Sequence, residues 1–329
     1  MAAYIKEVAK RAGVSIATVS HVINNTRFVS EGTRTKVEAA LSELNYVPNN
    51  IARSLRTNKS KTVGLLIPDI SNFFFTEISE CMEKVLRENG YSLVLCNTNE
   101  DLEIELQNIE LLKGHLVSGM IIAPTTHNFN YRGLFEDNNY PLVMIDRVTD
   151  HLQCDTITVD GMSATKQAIL NLIERGHKKI GYIKGLAGLS TSNERLQGYI
   201  TALQENSIEY DESLVFNGDS RRKSGYLICL ELLKNKDVTA MYVSNNLMAV
   251  GAMQCLADHN IEIPKQMAII GFDDYNWSTI TNPPLSTIKQ PADLIGSEAA
   301  RLILERIKTP DGPYKKHVFA ANFIQRKSC

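Results

Sequence analysis

Between residues 63 and 272 nine short apolar runs of strand length alternate with stretches of helical periodicity. The runs are 63–67, 92–96, 120–123, 142–145, 157–159, 180–183, 214–216, 241–243 and 267–272. Runs rich in β-branched residues, with no polar alternation, suit strands buried on both faces. Strand followed by helix followed by strand makes a parallel sheet covered by helices. The alternation restarts after a helical stretch ending at Arg175-Gly176-His177, so KTVGLLIPD and KKIGYIKG read as the first strands of two equivalent lobes. In open α/β lobes a ligand sits at the carboxyl ends of the strands. Two lobes with those ends facing form a cleft that can close on a small molecule.

The length of 329 residues implies two domains and an appendage. Apolar residues at 43% and charged residues at 22% exclude wholesale disorder. No apolar stretch reaches the ~18 residues that span a bilayer. Lys6, Lys10 and Arg11 precede any apolar core, so no secretory signal is expected. Cysteines 81, 96, 154, 229, 255 and 329 form no CxxC pair, which predicts reduced thiols and a cytoplasmic setting. The net charge of −2 hides an asymmetry: residues 1–61 hold ten Lys/Arg against four acids, or +6, leaving −8 for the rest. A basic head on an acidic body points to a polyanion partner for the head alone.

The head has its own pattern. Ile5, Val8, Ala9 and Ala12 recur at helical spacing, Gly13 ends that helix, and Ser15 is placed to cap a second. In the second helix Val19, Val22 and Ile23 share one face, while Ile16, Ala17, Ser20 and His21 point elsewhere. Two short helices joined by a glycine turn form a helix-turn-helix, whose second helix enters the major groove. Ser15, Ile16, Ala17, Thr18, Ser20, His21 and Arg27 are the candidate DNA-facing residues. A third helix is predicted from residue 30 or 31 to 45, with Val37, Ala40, Leu41 and Leu44 inward. Residues 48–61 read as linker and hinge, with Asn49 or Asn50 capping a helix too short to be stable alone.

The words IKEVAKRAGVSIATVSHVIN and YVPNNIARSLR closely resemble the N-terminus of the lactose/galactose repressor family. The resemblance extends over the whole chain. It implies an all-α helix-turn-helix head (1–47), a hinge helix (48–61) and a two-lobed periplasmic-binding-protein-like α/β core of doubly wound sheets (62–329). The lobes would be 62–160 plus 292–321, and 161–290 plus 322–329. In the family the hinge helix pairs with its symmetry mate and wedges a Leu into the minor groove. Ala52 and Leu55 match those positions, and Arg53 and Arg56 would contact phosphates.

Residues at the expected strand ends carry the ligand chemistry. Asn72, Phe74 and Phe75 follow the first strand, Asp146 and Arg147 the fourth, and Arg195 the first strand of the second lobe. Asn245, Asp273 and Gln290 end later segments of that lobe. Carboxylates accept from pairs of hydroxyls, arginines donate through planar forks, and amides do both. Phenyl rings cover the apolar face of a sugar ring. The set resembles that of ribose-binding proteins, and RFVSEGTR and ENGYSLVLCNTNED resemble ribose repressors. The near relative is the purine repressor. By that resemblance Leu189 stands where that protein has a base-contacting arginine, although Thr191 and Arg195 remain, and Ser220 stands where it has a stacking aromatic, which adds Thr191 and Ser220 to the candidate ligand set.

The function expected is therefore a repressor of a sugar operon, with ribose as inducer. The alternatives are purine corepression and control by a phosphocarrier protein. A homodimer on double-stranded operator DNA is expected, because no leucine heptad tail follows FIQRK. No cofactor or metal is implied: the seven histidines show no HExxH spacing, and GxSxG, GxGxxG and P-loop motifs are missing, which argues against an enzyme.

Overall fold

The computed structural model describes residues 4–46, 60–135 and 140–329, the side chain of residue 24 aside. The chain divides into two compact units, Met1–Ser60 and Lys61–Cys329.

In the first unit α1 (Ile5–Ala12) ends at Gly13, whose φ of 66° is the left-handed conformation a side chain disfavours. α2 (Ile16–Asn24) starts where Ser15 Oγ accepts the Thr18 amide at 3.1 Å. α3 (Glu31–Glu43) closes the unit. Val8, Val19, Val22, Val37 and Ala40 form its small core, with Leu41 and Leu44 packed against it. The proposed hinge residues Ala52, Arg53, Leu55 and Arg56 lie outside the described residues.

The second unit holds two six-stranded sheets. The first contains β1 (Thr62–Ile67), β2 (Ser92–Asn97), β3 (Gly119–Ile122), β4 (Leu142–Ile145), β5 (Asp155–Val159) and, from far down the chain, β11 (Lys316–Phe319). The second contains β6 (Ile180–Lys184), β7 (Val215–Asn217), β8 (Ala240–Val243), β9 (Ala268–Phe272), β10 (Ser286–Lys289) and β12 (Asn322–Ile324). Their orders, β2-β1-β3-β4-β5-β11 and β7-β6-β8-β9-β10-β12, are the same. Every pairing is parallel except β10 with β12. The sense of each order reverses at its first strand, and ligands of doubly wound sheets bind beside that switch.

The connecting helices are α4 (Phe73–Glu88), α5 (Leu102–Gly114), α6 (Arg132–Phe135), α7 (Gly161–Glu174), α8 (Ser190–Glu205), α9 (Arg222–Leu232), α10 (Asn246–Asp258), α11 (Asn276–Ile280) and α12 (Ala292–Lys308). Many are started by an Asx cap at the carboxyl end of a strand or its following turn. Asn72 accepts from the Phe74 amide, Asp101 from Glu103 and Ile104, Asp160 from Ser163, and Asn245 from Met248. Such caps satisfy amide donors that a helix start leaves open. They also hold Asn72 and Asn245 at the sheet edge.

Two departures from the sequence reading concern strands. Residue 214 lies in a 3-10 turn (Glu212–Leu214), so β7 begins one residue later. β11 and β12 are not among the apolar runs, because both are sheet-edge strands with no fully buried residue. α12 packs into the core of the first lobe with Ile295, Ala299 and Ile303. There Arg306 makes a bidentate pair with Asp155 of β5, both distances 2.9 Å. Both partners are buried, so the pair ties the late helix to the early sheet.

The two lobes touch across their facing edges. Asn246 Nδ2 donates to Asn72 Oδ1 at 2.8 Å, and Arg221 Nη2 to Asn99 Oδ1 at 3.0 Å. The His127 amide reaches the Gly188 carbonyl at 3.2 Å, and the rings of Phe73 and Tyr275 lie 5.5 Å apart. All six cysteines are free.

Candidate functional site

A cavity of about 40 Å³ lies between the strand ends of the two lobes. Asn72, Phe74, Phe75, Asp146, Arg147, Thr191, Arg195, Ser220, Asn245, Asp273 and Gln290 all line it. Gly185, Leu186, Leu189, Ser192 and Ser244 complete the wall. The sequence reading did not choose Ser192 or Ser244, although each is adjacent to a chosen position.

The wall is built under strain. Asp146, Ser220 and Asp273 have φ of 61°, 61° and 71°, a left-handed conformation unusual outside glycine. Such conformations persist where the surroundings over-determine them, and they cluster at functional sites. Here they turn each side chain off its strand end.

Asp146 and Asp273 are both buried. Burial raises the pKa of Asp146 above the ordinary carboxylate value, against the pull of Arg147 and Arg195. Burial also pushes the pKa of Asp273 up to about 6, opposed by Arg195 and by the hydrogen bond from Gln290. That bond runs from Gln290 Nε2 to Asp273 Oδ1 at 2.6 Å.

Arg195 is held flat. Its guanidinium carbon lies 3.5 Å from the centre of the Phe272 ring, and Nη1 donates to the Ser244 carbonyl at 2.7 Å. Phe74 and Phe75 meet edge-to-face with centres 5.2 Å apart, and both also belong to the first lobe's core. Behind Arg147 the buried Glu105 accepts from the Thr125 amide at 2.9 Å and from the Tyr131 hydroxyl.

Four buried polar atoms of this wall have no hydrogen-bond partner: Arg147 Nε, Ser192 Oγ, Arg195 Nε and Gln290 Oε1. Buried polar groups are otherwise almost always paired, so four on one cavity mark a surface made for a polar ligand. Two nitrogens donate, the amide oxygen accepts and the hydroxyl does either. Among the described residues no group of three or more His, Cys, Asp and Glu is placed to hold a metal ion, and no helix is long and apolar enough to cross a membrane.

In the first unit Ser15, Ile16, Ala17 and Arg27 are exposed, and Thr18, Ser20 and His21 are half-buried. Ser15 Oγ and Thr18 Oγ1 lie 2.9 Å apart, and His21 Nδ1 is 2.8 Å from Thr26 Oγ1. An N-cap serine contributes about 1 kcal/mol. Ser15→Ala is therefore expected to lower the melting temperature of the head and its DNA affinity while leaving the body unchanged. Calorimetry of the full chain separates the two transitions.

Two family models match this architecture. "Bacterial regulatory proteins, lacI family" covers residues 4–49, and "Periplasmic binding proteins and sugar binding domain of LacI family" covers 60–327. The HTH-type transcriptional repressor PurR of Vibrio atlanticus is 36% identical over 319 residues, 96% of this chain and 95% of that protein. The lac repressor dimer bound to operator and the anti-inducer ONPF superposes with a TM-score of 0.89 at 27% identity, over 100% of this chain and 99% of that one. A protein assigned as a ribose operon repressor from Burkholderia thailandensis gives 0.74 at 30% identity, over 81% of this chain and 99% of that one. Both units are matched in order and nearly end to end, so the chain belongs to the LacI family: it is a DNA-binding transcriptional repressor with a sugar-binding-type core, and not an enzyme.

Proposed function

We propose that a small neutral sugar of the ribose type binds the inter-lobe cavity and acts as inducer, weakening the hold of the head on operator DNA. The observation that carries this reading is the set of unpartnered buried polar atoms beside Asp146 and Asp273. Sugar hydroxyls donate to the carboxylates and accept from the arginine nitrogens. Phe74 and Phe75 supply the apolar wall that a sugar ring's C–H face needs. Hydrogen bonds to charged groups contribute about 1.5–3 kcal/mol each, so three or four, less ordering costs, reach the roughly −8 kcal/mol of a micromolar sensor.

Coupling to DNA requires that the sugar prefer one arrangement of the lobes over another. In a symmetric dimer two recognition helices would stand ~34 Å apart on a pseudopalindromic operator. A hinge through Ala52, Arg53, Leu55 and Arg56 would sense the lobes' movement.

The second reading is a purine-responsive corepressed regulator, favoured by the PurR relatives. Against it stand the buried aliphatic Leu189 and the small Ser220 on the cavity wall. Calorimetry and gel-shift titration with ribose, hypoxanthine and guanine, on an operator selected with the protein itself, decide between them. The expected result is micromolar ribose binding and a roughly 5- to 150-fold loss of operator affinity, the usual span of allosteric coupling. Purine binding that tightens the DNA complex establishes the second reading and removes the first.

A further inference from the structure

Arg147 does not meet the cavity as an uncompensated cation. Glu100 grips it end-on, with Nη1 to Oε2 at 2.6 Å and Nη2 to Oε1 at 2.8 Å. Both side chains are largely buried, so the pair is a charge-assisted fork shielded from water. Nη1 also reaches the Pro124 carbonyl at 3.3 Å. Its Nε has no hydrogen-bond partner and lies within ion-pair range of Asp146 Oδ2, at 3.4 Å.

The backbone is bent to make this grip. Asn99 and Glu100 have φ of 55° and 60°, two successive left-handed residues without a glycine. The turn is held from two sides. The Glu100 amide donates to the Pro68 carbonyl at 3.1 Å, and Asn99 Oδ1 accepts Arg221 Nη2 from the second lobe. Strain of this kind is kept where the structure over-determines it.

The charge count depends on that grip. With Arg147 neutralised by Glu100, the cavity keeps Asp146 and Asp273 against Arg195, a net −1 when both acids are ionised. A smaller annex beside it is lined by Asp69, Asp219 and Arg221 as well as by the Glu100–Arg147 pair, which adds another −1. An anionic ligand would bring its charge out of water into this field, where like charges interact far more strongly than in bulk solvent. A neutral polyol carries no such penalty.

We propose that Glu100 is a specificity-determining residue. By cancelling Arg147 it makes the cavity select a neutral polyhydroxyl ligand and reject sugar acids and sugar phosphates. This rests on the sugar reading above and adds to it the charge class of the ligand and the residue that sets it.

The test is calorimetric titration of the full chain with ribose, arabinose and glucose, and with ribonate, glucuronate and ribose 5-phosphate. It is run on the wild type, Glu100→Gln and Glu100→Asp. Gln keeps the size and one acceptor oxygen and removes the charge. Asp keeps the charge and tolerates the left-handed backbone. The expected result is a wild type that binds a neutral sugar and binds every anion at least tenfold more weakly. Glu100→Gln then shifts the neutral-to-anion ratio at least tenfold towards the anions, and Glu100→Asp keeps the wild-type preference. A wild type that binds neutral and anionic sugars alike overturns the assignment while the sugar reading stands. An unchanged ratio in Glu100→Gln, or equal changes in Gln and Asp, does the same. A wild type that binds no neutral sugar overturns both.

Discussion

Asp273→Asn is expected to raise the melting temperature of the ligand-free protein at pH 7.5 and to abolish most of its stabilisation by ribose. The two effects have one cause. Asp273 is buried, and its pKa stands at about 6 against an ordinary 3.8. The folded state therefore holds the proton more tightly than the unfolded chain. The stability this contributes is complete below pH ~3.8, declines as the pH rises and is gone above ~6. At pH 7.5 the ionised carboxylate is a burden on the fold. Asparagine removes the charge, keeps an oxygen for Gln290 Nε2, and tolerates the φ of 71° better than most residues. It also removes an acceptor-only group that two sugar hydroxyls would share. Losing a charge-assisted bond of about 1.5–3 kcal/mol weakens ribose binding roughly ten- to hundredfold. The same group predicts a pH profile: wild-type ribose affinity is flat above pH 7 and falls below pH 6, as protonation converts the acceptor into a donor. Scanning calorimetry with and without ribose, and titrations from pH 5 to 8, read both. An Asp273→Asn variant that binds ribose as the wild type does would remove Asp273 from the site.

Gly251→Ala is expected to have the largest effect on stability. α9 and α10 cross with a glycine on each side. A Cβ at position 251 would lie 1.9 Å from the Arg222 carbonyl oxygen and 2.7 Å from the Tyr226 amide nitrogen. One at position 225 would lie 2.1 Å from the Met248 carbonyl oxygen. The opposing atoms are backbone, so no rotamer change relieves the clash and the helices must separate. Overpacking usually costs about 1–3 kcal/mol, and a backbone clash belongs at or above the top of that span. For a unit of this size that lowers the melting temperature by about 6 °C or more. Gly114→Ala is the matched control: it ends α5, meets nothing within 4 Å, and is expected to be neutral or slightly stabilising. Because α10 begins at the cap residue Asn245, the separation also displaces a cavity side chain. Ribose affinity in Gly251→Ala should fall with the melting temperature.

Other helix pairs within the lobes use the same device. A Cβ on Gly198 of α8 would meet the Met162 carbonyl oxygen at 2.3 Å, and one on Gly296 of α12 the Ile78 carbonyl oxygen at 2.4 Å. Close helix pairs thus set the lobes' shape at three places, and none of these glycines stood out in the linear pattern.

Much of the architecture was legible in the chain. The apolar runs that became β1 and β4 have the observed ends to within a residue, because a strand buried on both faces cannot admit a polar residue until it leaves the sheet. That rule also located the polar residues just beyond each strand. Asn72, Asp146, Asn245, Asp273 and Gln290 come to one cavity because parallel strands bring all their carboxyl ends to one edge. The head was readable for a different reason, since Gly13 and Ser15 mark a turn and a cap by local chemistry alone. What only the tertiary structure decided depends on partners distant in sequence. β11 and β12 are strands because a sheet edge was free to pair with them, not because their own residues demand it. Arg147 is neutral in effect because Glu100, 47 residues earlier, is folded onto it, and Arg195 lies flat because Phe272 is beneath it. Local pattern determines where a strand ends and which side chains stand at its exit. Which charges cancel, and which polar atoms are left without a partner, is settled only when remote segments pack together.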